Sequence, residues 1–131
     1  MSWQTYVDQQ IRDKIDCKLA VMAGLADGQV WASHATDGTT MATPAELKAI
    51  ADSLKSHPGT FLERGIRLGG EKYMCLNIED NLIRARLNNC PLTIVATNMC
   101  LICVVGVADS PPGKLNTVVE TLADYLKTMR Y

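Results

Sequence analysis

The residue types that build catalytic centres are few in this sequence and are not arranged for catalysis. The two histidines, His34 and His57, have no nucleophile beside them in a strand-turn-helix elbow. Gly69-Gly70 is too short for a loop that cradles phosphate, and no GxxxxGK[ST] motif occurs. Glu79-Asp80 offers adjacent carboxylates, but it falls in a predicted hairpin turn, where two exposed acids are ordinary. The sequence therefore does not predict an enzyme, and only a deep pocket with paired titratable groups would revive that hypothesis.

The cysteines predict free thiols rather than a metal centre or a disulfide framework. Their number, five, is odd, and no basic segment followed by an apolar run opens the chain as in a secretory signal. Cys100 and Cys103 form a CxxC pair, but on a strand residues three apart point to opposite faces and cannot share a metal. We expect small buried side chains in a reducing cytosol, with no metal or cofactor. The cysteines are Cys17, Cys75, Cys90, Cys100 and Cys103.

The aromatic residues are few and concentrated at the two ends of the chain. Trp3 and Tyr6 are three residues apart and are therefore neighbours on one face of a helix. Tyr125 lies just off the apolar stripe of the last predicted helix, and Tyr131 is the final residue. One hypothesis is that these rings staple two terminal helices to each other or to a sheet. The full set is Trp3, Tyr6, Trp31, Phe61, Tyr73, Tyr125 and Tyr131.

The alternative is a shallow aromatic groove between two helices that pack side by side. Parallel aromatic ridges match the three-residue turn of a polyproline II helix, and proline rings lie flat on aromatic faces. Trp N–H and Tyr O–H groups donate hydrogen bonds to the free carbonyls of such a ligand. The groove hypothesis therefore predicts a proline-rich partner, which loses little entropy on binding because it is already extended.

Composition limits the remaining classes of protein. A chain of 131 residues with 47% hydrophobic and 21% charged residues predicts one globular domain over residues 1–131. The formal net charge of −1 disfavours a nucleic-acid binder driven by electrostatics. Residues 87–108 carry no charge, but polar residues interrupt them, and a membrane span needs about 20 apolar residues. This stretch instead favours two strands around a turn.

The first half of the chain predicts a helix, a hairpin and a second helix. Apolar residues at helical spacing predict an amphipathic helix over residues 2–14. Two apolar runs over 19–25 and 29–33 are joined by Asp27-Gly28, which favours a tight turn. Thr43-Pro44-Ala45-Glu46 has the pattern of a capping box with proline at the first helical position, and His57-Pro58-Gly59 ends that helix.

The second half predicts a meander of strands followed by a long helix. Strands are expected over 66–68, 73–78, 82–87, 92–96 and 99–107, because short turn-like segments separate these apolar runs. After residues 110–113 an apolar stripe at i, i+3, i+4 and i+7 predicts the last helix. Successive strands with tight turns form an antiparallel sheet, so the expected class is α+β with helices covering the sheet.

Five segments in register along the whole chain resemble the profilin family. Each is short, but five in order over 131 residues are specific. The C-terminal segment is similar to the last helix of invertebrate and plant profilins. The segments are Met1–Asp8 (MSWQTYVD), Gln29–Ala32 (QVWA), Leu68–Met74 (LGGEKYM), Ile83–Arg86 (IRAR), and Asn116–Leu126 (NTVVETLADYL) with the final Tyr131.

The resemblance implies both a fold and a function. The fold is a central antiparallel sheet with the N- and C-terminal helices on one face and smaller helices on the other. The function is binding of monomeric actin and regulation of its polymerisation in the cytoplasm, with a separate groove for proline-rich proteins. Faster nucleotide exchange on actin is also implied, through a shift in actin's conformational populations rather than through a catalytic residue of this chain.

The resemblance also assigns residues to two sites. Trp31, a strand residue, would floor the proline groove beneath the helices. Lys72, Arg84 and Arg86 would give charge complementarity to acidic actin. The proline groove would comprise Trp3, Tyr6, Trp31, Tyr125, Leu126 and Tyr131. The actin site would comprise Lys72, Met74, Arg84, Arg86, Gly113, Asn116 and Glu120, with Leu62 and Glu63 as weaker candidates.

Members of the family also bind phosphatidylinositol bisphosphate. Here Lys72, Arg84 and Arg86 would serve, or Lys127 and Arg130 near the other site, although basic residues on strands are often only a solvated face.

The chain departs from the family pattern at Met74, Asn77 and Thr117 and in the segment 109–114. These departures motivate a second hypothesis: an adaptor that keeps the proline groove while its actin binding is weak or lost.

Overall fold

A computed structural model describes residues 2–131. Seven strands form one antiparallel sheet, as the sequence predicts, and their order in the sheet is β2-β1-β7-β6-β5-β4-β3. The strands are β1 (Cys17–Gly24), β2 (Val30–Ala35), β3 (Ile66–Leu68), β4 (Glu71–Glu79), β5 (Leu82–Leu87), β6 (Cys90–Ala96) and β7 (Cys100–Gly106). The α-helices are α1 (Trp3–Thr5), α2 (Pro44–Ser56), α3 (Thr60–Arg64) and α4 (Pro112–Thr128), and a π-helix spans Tyr6–Arg12.

The helix predicted over residues 2–14 is present, and most of it, Tyr6–Arg12, is a π-helix, a helix type that the sequence pattern did not specify. The main-chain N–H of Asp13 donates to the oxygen of Asp8, five residues back, at 3.1 Å. Apolar side chains recur every four residues at Trp3, Val7 and Ile11. Side chains four residues apart share one face of a helix, and Val7 and Ile11 are both buried.

The turn between β1 and β2 depends on one glycine. Gly28 has φ of 73°, and a Cβ there would lie 2.4 Å from the main-chain oxygen of Pro44. Asp27 contributes through its carboxylate, which accepts the N–H of Gln29 at 3.0 Å. The predicted Asp27-Gly28 hairpin is confirmed, and only Gly28 uses the left-handed region.

The predicted capping box of α2 is present. Thr43 Oγ1 accepts the N–H of Glu46 at 3.2 Å, and Glu46 Oε1 accepts the N–H of Thr43 at 3.0 Å. The same carboxylate accepts the N–H groups of Gly69 and Gly70, each at 3.0 Å. Glu46 therefore ties the start of α2 to the β3–β4 turn. The short helix α3 was not predicted, because five residues carry too little periodicity to reveal it.

Two apolar clusters lie on opposite faces of the sheet. One contains the buried residues of α2 and α3, including Phe61, together with Tyr73 of β4. The other contains those of the π-helix and α4, such as Ile11 and Leu122. This is the helix arrangement that the family resemblance implied.

The sheet also separates the two cysteines of the CxxC pair. Cys100 belongs to the cluster beneath the terminal helices and Cys103 to the cluster beneath α2. The opposite orientation predicted for this pair is therefore confirmed, and all five cysteines are free thiols. Among residues 2–131, no helix combines the length and the hydropathy that a membrane span requires.

Candidate functional site

Five aromatic rings meet where the N-terminal helix, β2 and the end of α4 come together. Trp3 is central: its ring centroid lies 4.7 Å from that of Trp31, 5.5 Å from that of Tyr6, and 5.0 Å from that of Tyr131, with the last pair edge to face. The centroids of Tyr6 and Tyr125 are 6.2 Å apart. We name these five residues the aromatic surface.

The rings pack on one another and still expose part of their area. Tyr125 is 49% exposed and Tyr131 is 37% exposed, whereas Tyr6 is 9% exposed. Trp3 and Trp31 are half-buried. The two hypotheses drawn from the sequence, packing and groove, are therefore compatible. Leu126 differs from the rest of its predicted set, because it is fully buried in the apolar cluster that also contains Tyr6, where it supports the rings without exposing an atom.

A β-bulge positions Trp31. Met22 pairs with Ala32 and Ala23 pairs with Val30, so Trp31 is an extra residue on β2 without a partner on β1. A bulge of this kind re-aims a side chain. Gly24 leaves room for the ring, because a Cβ there would lie 3.3 Å from Trp31 Nε1. The position of Trp31 therefore depends on an irregularity that the sequence pattern did not predict.

The start of the N-terminal helix is held on β2 by a side-chain amide. Gln4 Nε2 donates to the main-chain oxygen of Ser33 at 2.9 Å, and the N–H of Ser33 donates to Gln4 Oε1 at 3.2 Å. Gln4 also donates to Asp8 at 3.2 Å. Because Gln4 follows Trp3 and Ser33 lies two residues after Trp31, this clamp keeps the two indoles together. Gln4 was not among the predicted site residues, although it lies inside the MSWQTYVD segment.

The other end of the surface is held by the last residues of the chain. Arg130 has φ of 69°, which turns the chain back after α4. The N–H of Tyr131 then donates to the oxygen of Leu126 at 2.9 Å. The main-chain oxygen of Tyr131 accepts hydrogen bonds from Thr97 Oγ1, at 2.7 Å, and from the N–H of Met99. Gln4 and Tyr131 are therefore both fixed to the sheet by hydrogen bonds, which holds the aromatic surface at both of its ends.

The phenol of Tyr6 keeps its proton at neutral pH. Burial raises the pKa of Tyr6, and the neighbouring phenols of Tyr125 and Tyr131 raise it further. A phenol with a raised pKa keeps its O–H at neutral pH. The surface therefore combines ring faces with O–H donors, which are the groups that a chain of prolines with free carbonyls requires.

The residues that the resemblance assigns to actin binding form a second connected surface. Met74 on β4 pairs with Arg86 on β5, and Arg84 pairs with Thr93 on β6. The hydroxyl of Thr93 donates to Asn116 Oδ1 on α4 at 2.5 Å. The register thus connects three strands and one helix. We name the predicted set, Lys72, Met74, Arg84, Arg86, Gly113, Asn116 and Glu120, the β4–β5–α4 surface.

Part of the positive charge on the β4–β5–α4 surface forms ion pairs within the molecule. Arg84 lies 3.7 Å from the carboxylate of Glu79 and 3.8 Å from that of Glu120. Its Nε is buried without a hydrogen-bond partner among residues 2–131. Lys72 and Arg86 are exposed, and Met74 is 62% exposed. Lys72 and Arg86 are therefore the more available cations of the predicted set.

The weaker candidates Leu62 and Glu63 lie beside this surface. A groove of about 510 Å³ between α3 and β4 is lined by both residues and also by Lys72 and Met74. Leu62 is exposed on α3. The fold therefore brings α3 to the edge of the β4–β5–α4 surface.

Lys127 and Arg130, the other predicted basic pair, are exposed near the end of α4. Lys127 lines a small hollow of about 200 Å³ together with four carboxylates. Such surroundings repel a phosphate group. The carboxylates are those of Glu79, Asp80, Glu120 and Asp124.

The histidines and cysteines do not form an activated group. His34 and Cys17 both line a cleft of about 470 Å³ beside the π-helix. Burial lowers the pKa of His34 and raises that of Cys17 to about 11, so that this thiol stays protonated at neutral pH. His57 is exposed at the end of α2. Among residues 2–131, no group of three His, Cys, Asp or Glu side chains is placed to hold a metal ion.

Comparison with known proteins gives a consistent result. The family model described as Profilin matches residues 1–131. Acanthamoeba castellanii profilin IA is similar at 29% identity and a TM-score of 0.87, covering 99% of this chain and 100% of the other. Schizosaccharomyces pombe profilin gives the same identity, TM-score and coverage. Mouse profilin IIa, solved in complex with a double repeat from the FH1 domain of mDia1, shares the fold at 24% identity and a TM-score of 0.80 over 100% of both chains.

Proposed function

Because the chain belongs to the profilin family, we propose that it binds monomeric actin through the β4–β5–α4 surface and proline-rich segments through the aromatic surface. Residues 1–131 act as one domain in the cytoplasm, associated with the cytoskeleton. The protein regulates actin polymerisation by sequestering monomers or by delivering them to proline-rich assembly factors. Its activity is binding, and faster nucleotide exchange on actin follows from a shift in actin's conformational populations.

The packing of three rings around Trp3 carries the proline half of the proposal. Centroid distances of 4.7 to 5.5 Å from Trp3 to Trp31, Tyr6 and Tyr131 form a continuous aromatic platform. The indole N–H and phenol O–H donors of this platform lie beside partly exposed ring faces. Recognition of a polyproline II helix requires both. The hydrogen bonds of Gln4 and Thr97 hold the platform in place before a ligand arrives. Little conformational entropy is therefore lost on binding.

The proposal of actin binding is supported by exposed apolar and basic side chains that lie next to one another on the β4–β5–α4 surface. Met74 offers apolar area at 62% exposure, and Lys72 and Arg86 offer positive charge around it. Apolar area contributes affinity, while the charges set the association rate and the orientation. On α4, the residues of the β4–β5–α4 surface lie toward the start of the helix, at Gly113 to Glu120, and Tyr125 of the aromatic surface lies toward its end.

Two assays on one preparation test the proposal. We expect the purified protein to be retained on poly-L-proline resin and to slow spontaneous assembly of pyrene-labelled actin. Failure of both assays with folded protein overturns the proposal.

A second candidate function is the proline-binding adaptor with weak or lost actin binding. The ion pairs of Arg84 with Glu79 and Glu120 favour it, because they reduce the positive charge available to actin. Retention on poly-L-proline without an effect on actin assembly would support the adaptor. Undiminished sequestration of monomers would exclude it.

Binding of phosphatidylinositol bisphosphate belongs to the same proposal as a secondary property. Lys72 and Arg86 are its best candidates, because Arg84 is ion-paired and Lys127 lies among carboxylates. Co-sedimentation with vesicles containing this lipid should weaken in Arg86→Ala and persist in Lys127→Ala. The reverse pattern would place the lipid at the end of α4 instead.

A further inference from the structure

An apolar groove of about 690 Å³ opens at the end of the sheet, where the turns after β1, β4 and β6 meet the second half of α2. Its volume lies within the range of sites that enclose small ligands. It is separate from the residues of the aromatic surface and of the β4–β5–α4 surface. Its apolar walls are formed by Leu25, Ala26, Ala51, Leu54, Ala96 and Met99.

The groove adjoins the aromatic surface through Met99. The main-chain N–H of Met99 donates to the main-chain oxygen of Tyr131, and the oxygen of Met99 accepts the N–H of Leu25 at 3.0 Å. Tyr131, Met99 and Leu25 are therefore consecutive neighbours along one rim. The side chain of Met99 is 53% exposed. An extended chain that leaves the aromatic surface past Tyr131 meets Met99 first and then the groove.

The polar rim of the groove carries one available positive charge. Asp52 is paired with Lys48, whose Nζ lies 2.8 Å from the carboxylate. Lys55, one turn further along α2, is exposed and has no ion-pair partner among residues 2–131. A carboxylate on a ligand in this groove would therefore find a complementary partner in Lys55.

We propose that this groove binds the residues flanking the proline run of a ligand held on the aromatic surface, namely a short apolar stretch that ends in an acidic side chain. This inference rests on the proposed function of the aromatic surface. The apolar side chains cover the walls formed by Leu25 and Met99, and the acid pairs with Lys55. Because the proline run already holds the ligand, the flanking residues bind as a tethered segment at high effective concentration.

Peptide titrations followed by tryptophan fluorescence of the full chain test this inference. One peptide has ten prolines, and the others carry in addition one glycine, two leucines and a glutamate at either the N- or the C-terminal end. We expect one of the extended peptides to bind at least about fivefold more tightly than ten prolines alone. Amide NMR shifts of Ala26, Lys55 and Asn98 should move with that peptide and stay in place with ten prolines.

Charge reversal locates the acidic end of the ligand. In Lys55→Glu the tighter peptide should lose its advantage, and a lysine in place of its glutamate should restore it. Arg67→Glu, an exposed change on the edge strand β3 and outside the lining of the groove, should leave the preference unchanged. If ten prolines bind and neither extended peptide binds more tightly, the inference is overturned while the proposed function of the aromatic surface stands. The same holds if an extended peptide binds more tightly and Lys55→Glu does not reduce that advantage. No binding of any peptide overturns the proposed function of the aromatic surface together with the inference.

Discussion

The side-chain amide of Gln4 pairs with both main-chain groups of Ser33, as a neighbouring strand would. Its Nε2 and Oε1 lie 2.9 and 3.2 Å from the main-chain oxygen and nitrogen of Ser33. The pair covers part of the open edge of β2, where unpaired main-chain groups would otherwise face solvent. It also fixes Trp3 over Trp31, whose centroids are 4.7 Å apart. The side chain of Gln4 thus both covers part of the sheet edge and sets the position of Trp3 in the aromatic surface.

Gln4→Leu should weaken proline binding more than it weakens the fold. The substitution keeps the helix propensity but removes both hydrogen bonds to Ser33, so that Trp3 is no longer fixed. We expect the affinity for ten prolines, measured by tryptophan fluorescence, to fall several-fold while thermal unfolding shifts by only a few degrees. Gln9→Leu is the matched control, because Gln9 is exposed on the π-helix and does not bond to β2. Equal affinities of the two variants would show that the clamp does not position Trp3.

Removal of a ring from the aromatic surface should reduce proline binding directly. Trp3→Ala or Tyr6→Ala should cost roughly 1 kcal/mol or more of binding free energy, on the scale of aromatic hot spots. Retention on a poly-L-proline column gives a first measurement, and titration calorimetry gives the free energy. Tyr6 is nearly buried, so its variant requires a circular dichroism control for folding. Full retention of both variants would exclude this surface as the proline site.

Lys72→Glu should separate the two proposed sites. The change reverses one exposed charge on the β4–β5–α4 surface and leaves the aromatic surface intact. We expect slower association with actin, seen as weaker inhibition of pyrene-actin assembly, and unchanged binding to poly-L-proline. Lys14→Glu, an exposed change outside both surfaces, is the charge-matched control. An equal effect of both variants on actin would mean that net charge, rather than this site, controls the interaction.

Glu46→Gln should make the protein less stable, and the difference should depend on pH. Partial burial acts to raise the pKa of Glu46, but the N–H groups of Thr43, Gly70 and Gly69 outweigh it and hold the pKa below its ordinary value. A lowered pKa in the folded state contributes stability that is present above the unfolded pKa of about 4.3 and lost as pH falls through the folded pKa.

Urea unfolding at several pH values measures this contribution. At pH 7 we expect the free energy of unfolding of Glu46→Gln to be lower than that of the wild type by roughly 1 kcal/mol, because the lost hydrogen bonds are partly exposed to solvent. The difference should shrink below about pH 4, where the wild-type carboxylate is protonated as well. Glu63→Gln, at an exposed position on α3, should leave the free energy of unfolding unchanged at every pH. A constant difference between wild type and Glu46→Gln across pH would mean that the hydrogen bonds of Glu46 do not depend on its charge.

Local features of the sequence predicted most of the elements and one contact within the aromatic surface. The capping box of Thr43 and Glu46 and the bounds of β5 follow from neighbouring residues, and both are present as predicted. The proximity of Trp3 and Tyr6 also follows from helical spacing alone. The short helix α3 was not predicted, because five residues are too few to show a helical period. The π-turns were not predicted either, because a four-residue repeat is compatible with more than one type of helix.

Only the tertiary structure decided how distant residues meet. Trp31 reaches Trp3 through a bulge in β2, Tyr131 is held by Thr97 and Met99, and Arg84 of β5 pairs with Glu120 of α4. Each of these contacts joins residues that are more than twenty positions apart in the chain. Such contacts depend on strand register and on the packing of helices against the sheet, which the spacing of residues along the sequence does not specify. Residue spacing alone therefore determined which side chains are available, and the family resemblance grouped the terminal rings with Trp31. The packed sheet decided by which contacts these side chains share a surface.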